Sequence, residues 1–247
     1  MQNAEMDQTL VLIKPDALKN SLTGYVLSQL SEFHTGLRFA GAKVVHVTRM
    51  LAEEHYTEHR GKVFFAALLE YLRGQLHYPN QPQRQRVIAI VYQGPQAVER
   101  LRDLVGPTNP HSAREVKPGS IRSLGTVVQL TDNEGKPIGE DRWDNLIHAS
   151  ACAEEAEREI KLWFRPTDIP PHMRIYPVRK SQEHYYFTES GLSSEYIPDS
   201  ICLVAPGDVV WETDLQALEA IAAGKPAALS LQSVAAKYLT NMTIDEG

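Results

Sequence analysis

Residues 9–13 (TLVLI) form a short, uninterrupted apolar run rich in aliphatic and β-branched side chains. That pattern predicts a buried strand. It stops at Lys14-Pro15-Asp16, where proline breaks the ladder. From Thr23 the period changes. Val26, Leu27, Leu30 and Phe33 recur at helical spacing, with Gly36 as the stop signal. Residues 38–49 alternate as a second strand, and residues 52–59 and 63–72 read as two short helices. Residues 80–85 (NQPQRQ) are a polar linker, and residues 86–92 (RVIAIVY) give the clearest strand in the chain. Gly94-Pro95 ends it, and a helix follows over 96–105. Residues 106–119 hold three prolines and are expected to form a long loop of the kind that often carries function. A strand is expected over 126–130 and a turn at 132–135. Residues 151–164 predict a strong helix with Ser150 as its N-cap and Ala156, Ile160, Trp163 and Phe164 along one face.

The character shifts after Arg165-Pro166. Prolines at 166, 170, 171, 177 and 198 punctuate an irregular stretch. Helices are expected over 214–223 and 229–239, split by Gly224-Lys225-Pro226. The apolar content there, including Trp211 and Leu203-Val204, predicts packing rather than disorder. We divide the chain into residues 1–166 and an extension, 167–247, expected to pack on the first part or on a neighbouring subunit. There is no internal repeat. Strands and helices intermixed with short connections place the fold in the α/β (α+β) class.

Composition narrows the function. The 247 residues are 43% hydrophobic and carry a formal net charge of −6. An acidic chain of this kind does not read as a general nucleic-acid binder, and no specific nucleic-acid partner is expected. Basic residues nevertheless gather locally, as Arg84 and Arg86, as Arg100 and Arg102, and as Arg114, Lys117 and Arg122. Two cysteines, Cys152 and Cys202, make neither a disulfide framework nor a zinc spacing. Residues 1–17 lack signal-peptide character, and no apolar run reaches membrane-spanning length. A cytoplasmic location without membrane association is the expectation.

Four segments, in this order, resemble the nucleoside diphosphate kinase family. They are TLVLIKPDA (9–17); EEHYTEHRGKVFF (53–65); LRDLVGPTNP (101–110) with KPGSIR (117–122); and NLIHAS (145–150) leading into EREIKLWF (157–164). The resemblance covers roughly residues 8 to 166 and is silent on the extension. It implies a ferredoxin-like four-stranded antiparallel sheet covered by helices, with an irregular or helical C-terminal extension. It implies an enzyme that transfers the γ-phosphate of a nucleoside triphosphate to a nucleoside diphosphate, ping-pong, through phosphorylated His148.

The resemblance also assigns roles. His148 is the nucleophile, because neutral imidazole attacks phosphorus well when one nitrogen is free and the other held. Glu159 matches the glutamate that holds the second nitrogen, and Tyr56 a tyrosine close by. Lys14 matches the lysine near the transferred phosphate. Arg102, Thr108 and Arg122 match the residues that hold the phosphate chain, for which the planar guanidinium fork is suited. Phe64 matches the aromatic that stacks on the base, and Asn145 the residue that bonds the ribose. Taken alone, each of these would read as a core or surface residue. Mg²⁺ is expected on the nucleotide phosphates with few protein ligands. No dedicated metal site is expected, and His55 and His59 beside Glu54 and Glu58 read as an exposed polar face. Homo-oligomers are the expected assembly.

Three features depart from the family pattern. Lys62, counted among the nucleotide-binding residues, stands where arginine is common. Ala149 and Ala151 replace glycine and aspartate beside the histidine, and Ser123-Leu124 follows Arg122 in place of glycine and aspartate. Extra residues fall around 75–85, 111–116 and 124–144. The last two abut the site, either as a lid or as surface hairpins. The alternative function is a nucleotide-binding regulatory or scaffold protein with an impaired kinase site.

Overall fold

The structure, a computed structural model, describes residues 6–129, 134, 136 and 141–241. Its first part runs β1 (Met6–Ile13), α1 (Pro15–Lys19), α2 (Thr23–Gln29), α3 (Glu32–Thr35), β2 (Arg38–Val45), α4 (Arg49–His55), α5 (Phe65–Arg73), β3 (Val87–Pro95), α6 (Ala97–Val105), α7 (Pro110–Val116), β4 (Thr126–Val128), β5 (Arg142–Asp144), β6 (Ile147–Ala149) and α8 (Ala153–Trp163). Strands β2, β3, β1 and β6 pair in that order, every neighbour antiparallel. This is the ferredoxin-like arrangement.

Side-chain alternation along β1 explains why its sequence is apolar throughout. Leu10 and Leu12 face one layer, with Leu51 of α4, Leu69 and Leu72 of α5 and Ile160 and Trp163 of α8. Val11 and Ile13 face the other, with Val26 of α2 and Leu101 and Val105 of α6. A strand covered on both sides has no polar face to show. The pairing of Leu12 with His148 sets β6, an edge strand, along β1.

Several boundaries differ from the sequence reading for local reasons. The helix expected from Thr23 to Gly36 is broken at Leu30-Ser31, because the Ser31 hydroxyl accepts from the His34 amide and starts a new turn, α3. The second strand stops at Val45, and Thr48 caps α4 by accepting from the Leu51 amide. Residues 106–119 are not all loop. Asn109 accepts from the His111 amide and Pro110 occupies the first helical position, so α7 forms. The expected turn at 132–135 falls largely outside the described residues, as does the end of the strand expected over 126–130.

Beyond α8 the extension holds β7 (Val178–Lys180), β8 (Tyr185–Thr188), β9 (Gly191–Ser193), β10 (Ile201–Val204), β11 (Val209–Trp211), α9 (Glu212–Ala222) and α10 (Leu231–Ala235). It pairs β10-β8-β9 and β11-β7 into two small sheets. Tyr185, Leu203, Val204, Leu215, Leu218 and Val234 form its own core. Ile169, Met173, Trp211 and Ala236 instead join the main core under α8. The Trp211 indole donates to the Phe164 carbonyl at 2.7 Å, and Gln8 donates to the Met173 carbonyl at 2.6 Å. Asn241 reaches the end of β2, donating to the Val44 carbonyl and accepting from the His46 amide.

Candidate active site

His148 sits in the middle of β6 with its side chain partly exposed. Its Nε2 lies 2.9 Å from Glu159 Oε2, just past the middle of α8. The Ser150 hydroxyl donates to the same oxygen at 2.6 Å and accepts from the Leu10 amide at 3.1 Å. Ser150 therefore braces the carboxylate instead of capping α8, whose N-cap is Cys152. Burial pushes the Glu159 carboxyl up, but the charge and hydrogen bond of His148, with His55 and Ser150, outweigh it and bring it down to about 2. With Nε2 tied to a carboxylate, Nδ1 is the nitrogen left to act.

The sequence reading placed His55 and Glu54 on an exposed face, and the structure corrects this. Both are buried, on the last turn of α4. The His55 ring is 4.6 Å from the His148 ring, and the Trp163 indole donates to His55 Nδ1 at 3.2 Å. Burial drives His55 down to about 3, so it is a neutral wall behind the nucleophile. Arg158 donates to the Glu54 and His55 carbonyls and lies 3.8 Å from Glu159. The Tyr56 ring packs tilted against His55 at 4.6 Å, and burial and the Glu159 charge raise its phenol far above the usual range. Among the described residues, His55, His148 and Glu159 are the one group of three or more with metal-type donor atoms close together, within 4.8 Å.

Cations flank the strand that carries His148. Arg122 donates to the Ile147 carbonyl through Nε at 3.3 Å and through the fork at 3.1 Å, and to Gly106 O and Thr108 Oγ1 at 3.0 and 3.4 Å. Arg102 reaches the Ala149 carbonyl at 3.4 Å. The two guanidiniums thus hold the carbonyls on either side of the nucleophile. Burial and the Arg102 charge bring Arg122 down to about 10. The Lys14 ammonium, buried at the end of β1, donates to Asn145 Oδ1 and lies 4.4 Å above the Tyr71 ring. Desolvation lowers it to about 8, partly opposed by Asp16. Asn145 also donates to the Thr108 carbonyl at 2.9 Å.

Leu146, between Asn145 and Ile147, has φ +68°, rare for a branched side chain. Its amide donates to Asp16 at 2.7 Å and its carbonyl accepts from the Lys14 amide at 2.9 Å. Those bonds hold the strained residue in place. Phe64 and Lys62 lie apart from this cluster, exposed on the segment before α5, with Phe64 5.6 Å from His59 and edge-on to it. Asp16, Tyr71, His55 and Ser150's contact with Glu159 escaped the sequence reading. Only the adjacency of Asp16 to Lys14-Pro15 and of His55 to Tyr56 could have signalled them.

A nucleophile-type histidine fixed by a buried carboxylate, in a strand gripped by two arginines with a lysine bound to the nearby Asn145, defines a phosphoryl-transfer class of site. Comparison with known proteins narrows it. The nucleoside diphosphate kinase family profile matches residues 7–169. The nucleoside diphosphate kinase of Thermococcus kodakarensis is 32% identical over 203 residues, covering 82% of this chain and 99% of that protein. That of Pyrococcus furiosus is 39% identical, covering 67% of this chain and 87% of its own. Among solved structures, Aquifex aeolicus nucleoside diphosphate kinase superposes with a TM-score of 0.53 at 30% identity, covering 67% of this chain and all of that one. A Borrelia burgdorferi nucleoside-diphosphate kinase, described as a transition-state mimic with vanadate and ADP, gives 0.51 at 27% identity, covering 69% of this chain and 94% of its own. The chain belongs to the nucleoside diphosphate kinase family.

Proposed function

We propose that this chain passes the γ-phosphoryl group of a nucleoside triphosphate to a nucleoside diphosphate through His148. The observation that carries the reading is the Ser150–Glu159–His148 relay beside Lys14, Arg102 and Arg122. Glu159 accepts a hydrogen bond from the Nε2–H of His148 and so favours the tautomer with its lone pair on Nδ1. Nδ1 attacks the γ-phosphorus in line. An N–P bond forms as the bond to the β,γ-bridging oxygen breaks, and the diphosphate leaves. The terminal oxygen of a second diphosphate then takes the phosphoryl group and frees the histidine.

Lys14, Arg102, Arg122 and the Thr108 hydroxyl supply cations and directed donors for the phosphate oxygens. The mutual repulsion of Arg102 and Arg122 is relieved when an anion sits between them. Asn145 serves the ribose. Phe64 offers an exposed ring to any base, which fits broad nucleotide use. Magnesium prefers a full set of oxygen ligands, whereas His55, His148 and Glu159 offer two imidazoles and a single carboxylate already bonded to His148 and Ser150. The ion would therefore be held through the nucleotide phosphates, whose charge it neutralises. No helix among the described residues is long and apolar enough to cross a membrane. A cytoplasmic homo-oligomer is part of the same proposal, supported for the assembly by exposed Tyr25, Phe39 and Val44 on α2 and β2.

Steady-state kinetics test the reading. ATP with a varied diphosphate acceptor should give parallel double-reciprocal lines, and His148→Ala should abolish exchange while binding nucleotide. Full exchange by His148→Ala would overturn it.

A further inference from the structure

We propose that His77 and Asp144 form a positioning dyad through which two of the inserted segments set Lys14 and Asn145 for the nucleotide. The inference rests on the kinase reading above. His77 belongs to the extra residues around 75–85, and Asp144 closes the insertion at 124–144. These two segments are far apart in the chain, yet their bases meet beside the site.

His77 Nε2 lies 2.9 Å from Asp144 Oδ2, and both side chains are buried. Arg142 grips the same carboxylate with its fork, at 2.8 Å to Oδ1 and 3.1 Å to Oδ2. Burial pushes the Asp144 carboxyl up, but hydrogen bonds and charge from His77 and Arg142 outweigh it and hold it below its ordinary range. The base of the hairpin closes tightly on this residue. A Cβ at Gly125 would lie 2.6 Å from the Asp144 carbonyl.

Two short routes lead from the dyad to the lysine. Asp144 directly precedes Asn145, whose Oδ1 takes the Lys14 ammonium. The His77 ring packs 5.2 Å from Tyr71, whose hydroxyl accepts from the Asn145 amide at 3.2 Å and whose ring lies under Lys14. The dyad thus fixes the backbone at 144–145 and the floor beneath the ammonium together. Such a pair has no need to touch nucleotide, because a misplacement of about 1 Å at a phosphate-holding group is enough to slow transfer about a hundredfold.

The test uses the full chain with His77→Leu, His77→Gln and Asp144→Asn, each alone and in an Asn145→Ala background. The measurements are kcat, KM, the melting temperature and the pH profile of kcat/KM. His77→Leu should lower kcat/KM about tenfold, and His77→Gln, which keeps an N–H donor, should recover most of the loss. The effect of His77→Leu should be smaller than in wild type once Asn145 is alanine, since one of the two routes runs through the Asn145 side chain while the Tyr71 route remains.

Asp144→Asn removes a negative charge that helps keep Lys14 protonated, so the alkaline limb of the profile should move to lower pH. The other groups facing Lys14 are Asp16 from α1, Arg122 from the turn at 121–124 and Tyr71 from α5. Those facing His77 are Asp144, Arg142 and Tyr71. Unchanged kcat/KM and an unmoved alkaline limb in both His77→Leu and Asp144→Asn would overturn the proposal. So would a loss that tracks the melting temperature, is not recovered by glutamine and adds fully to Asn145→Ala. A wild-type chain without exchange would defeat the kinase reading and this inference with it. An active wild type with unaffected variants defeats the inference alone.

Discussion

Replacing Glu159 by glutamine isolates the part of the site that prepares the nucleophile. A fall from 4.5 to about 2 corresponds to about 3 kcal/mol of preference for the carboxylate in its folded setting. The side chain is only 3% exposed, so solvent screens little of this. Glu159 Oε2 receives both the His148 N–H and the Ser150 O–H, while Oε1 lies 3.7 Å from His55 Nδ1 and 3.8 Å from Arg158. A glutamine has one acceptor oxygen. If that oxygen keeps the two donors, its NH₂ group faces the Arg158 guanidinium. If the amide flips, His148 loses its acceptor. A hydrogen bond to a charged acceptor is worth about 1–2 kcal/mol more than one to a neutral acceptor. Arg158 repulsion adds to that difference. The expected outcome is a phosphorylation rate about 10–100-fold lower, since about 1.4 kcal/mol corresponds to a factor of ten. Single-turnover rapid quench with excess Mg²⁺-ATP measures it. The folded-state pKa of Glu159 is depressed, so its contribution to stability is complete above about 4.5 and lost as the pH falls toward about 2. The variant should therefore lose less stability than wild type over that window. A rate within twofold of wild type would refute the reasoning.

The remaining expectations are briefer. Lys14 has a folded-state pKa lowered to about 8, so kcat/KM should decline as the pH rises through about 8. The unfolded chain binds more protons than the folded one between about 8 and 10.5, so Lys14 should make stability rise with pH across that window, and Lys14→Met should flatten this slope in urea titrations. Trp211→Ala should cost about 3–5 kcal/mol in urea unfolding, because it empties a buried site in the shared core and strands the Phe164 carbonyl. A cost below about 1 kcal/mol would mean that the extension folds without that core. Phe64→Ala should raise KM for purine and pyrimidine nucleotides alike by roughly tenfold, the scale of one base–aromatic stack. A rise confined to one base would contradict a sequence-blind platform.

Periodicity made three strands of the central sheet, β1, β2 and β3, legible because its physics is local, whereas β6, three residues long, carries too little alternation to register. An apolar run between turn signals, such as residues 9–13 or 86–92, fixes a doubly covered strand whatever else the chain does. The breaks came where one side chain competes for the backbone. Ser31 splits a helix, and Asn109 with Pro110 starts one inside an apparent loop. The short strands of the extension were hidden because runs of three or four residues carry too little alternation to register.

In the site, motif order gave His148, Glu159, Lys14, Arg102, Arg122, Thr108 and Asn145, and the structure gathers these around β6. It leaves Lys62 and Phe64 on an exposed rim. Three-dimensional neighbours such as His55 under His148, or His77 against Asp144, lie 93 and 67 residues apart. No local pattern marks such pairs.

The central claim is that the phosphoryl group rests on His148. Mass spectrometry of the chain after brief incubation with Mg²⁺-ATP and no acceptor tests it most directly. The account requires one acid-labile phosphoryl group on His148 that leaves the protein on addition of GDP and appears as GTP. A phosphoryl group on another residue, or a folded, nucleotide-binding chain that exchanges phosphate with His148 unmodified, would contradict it.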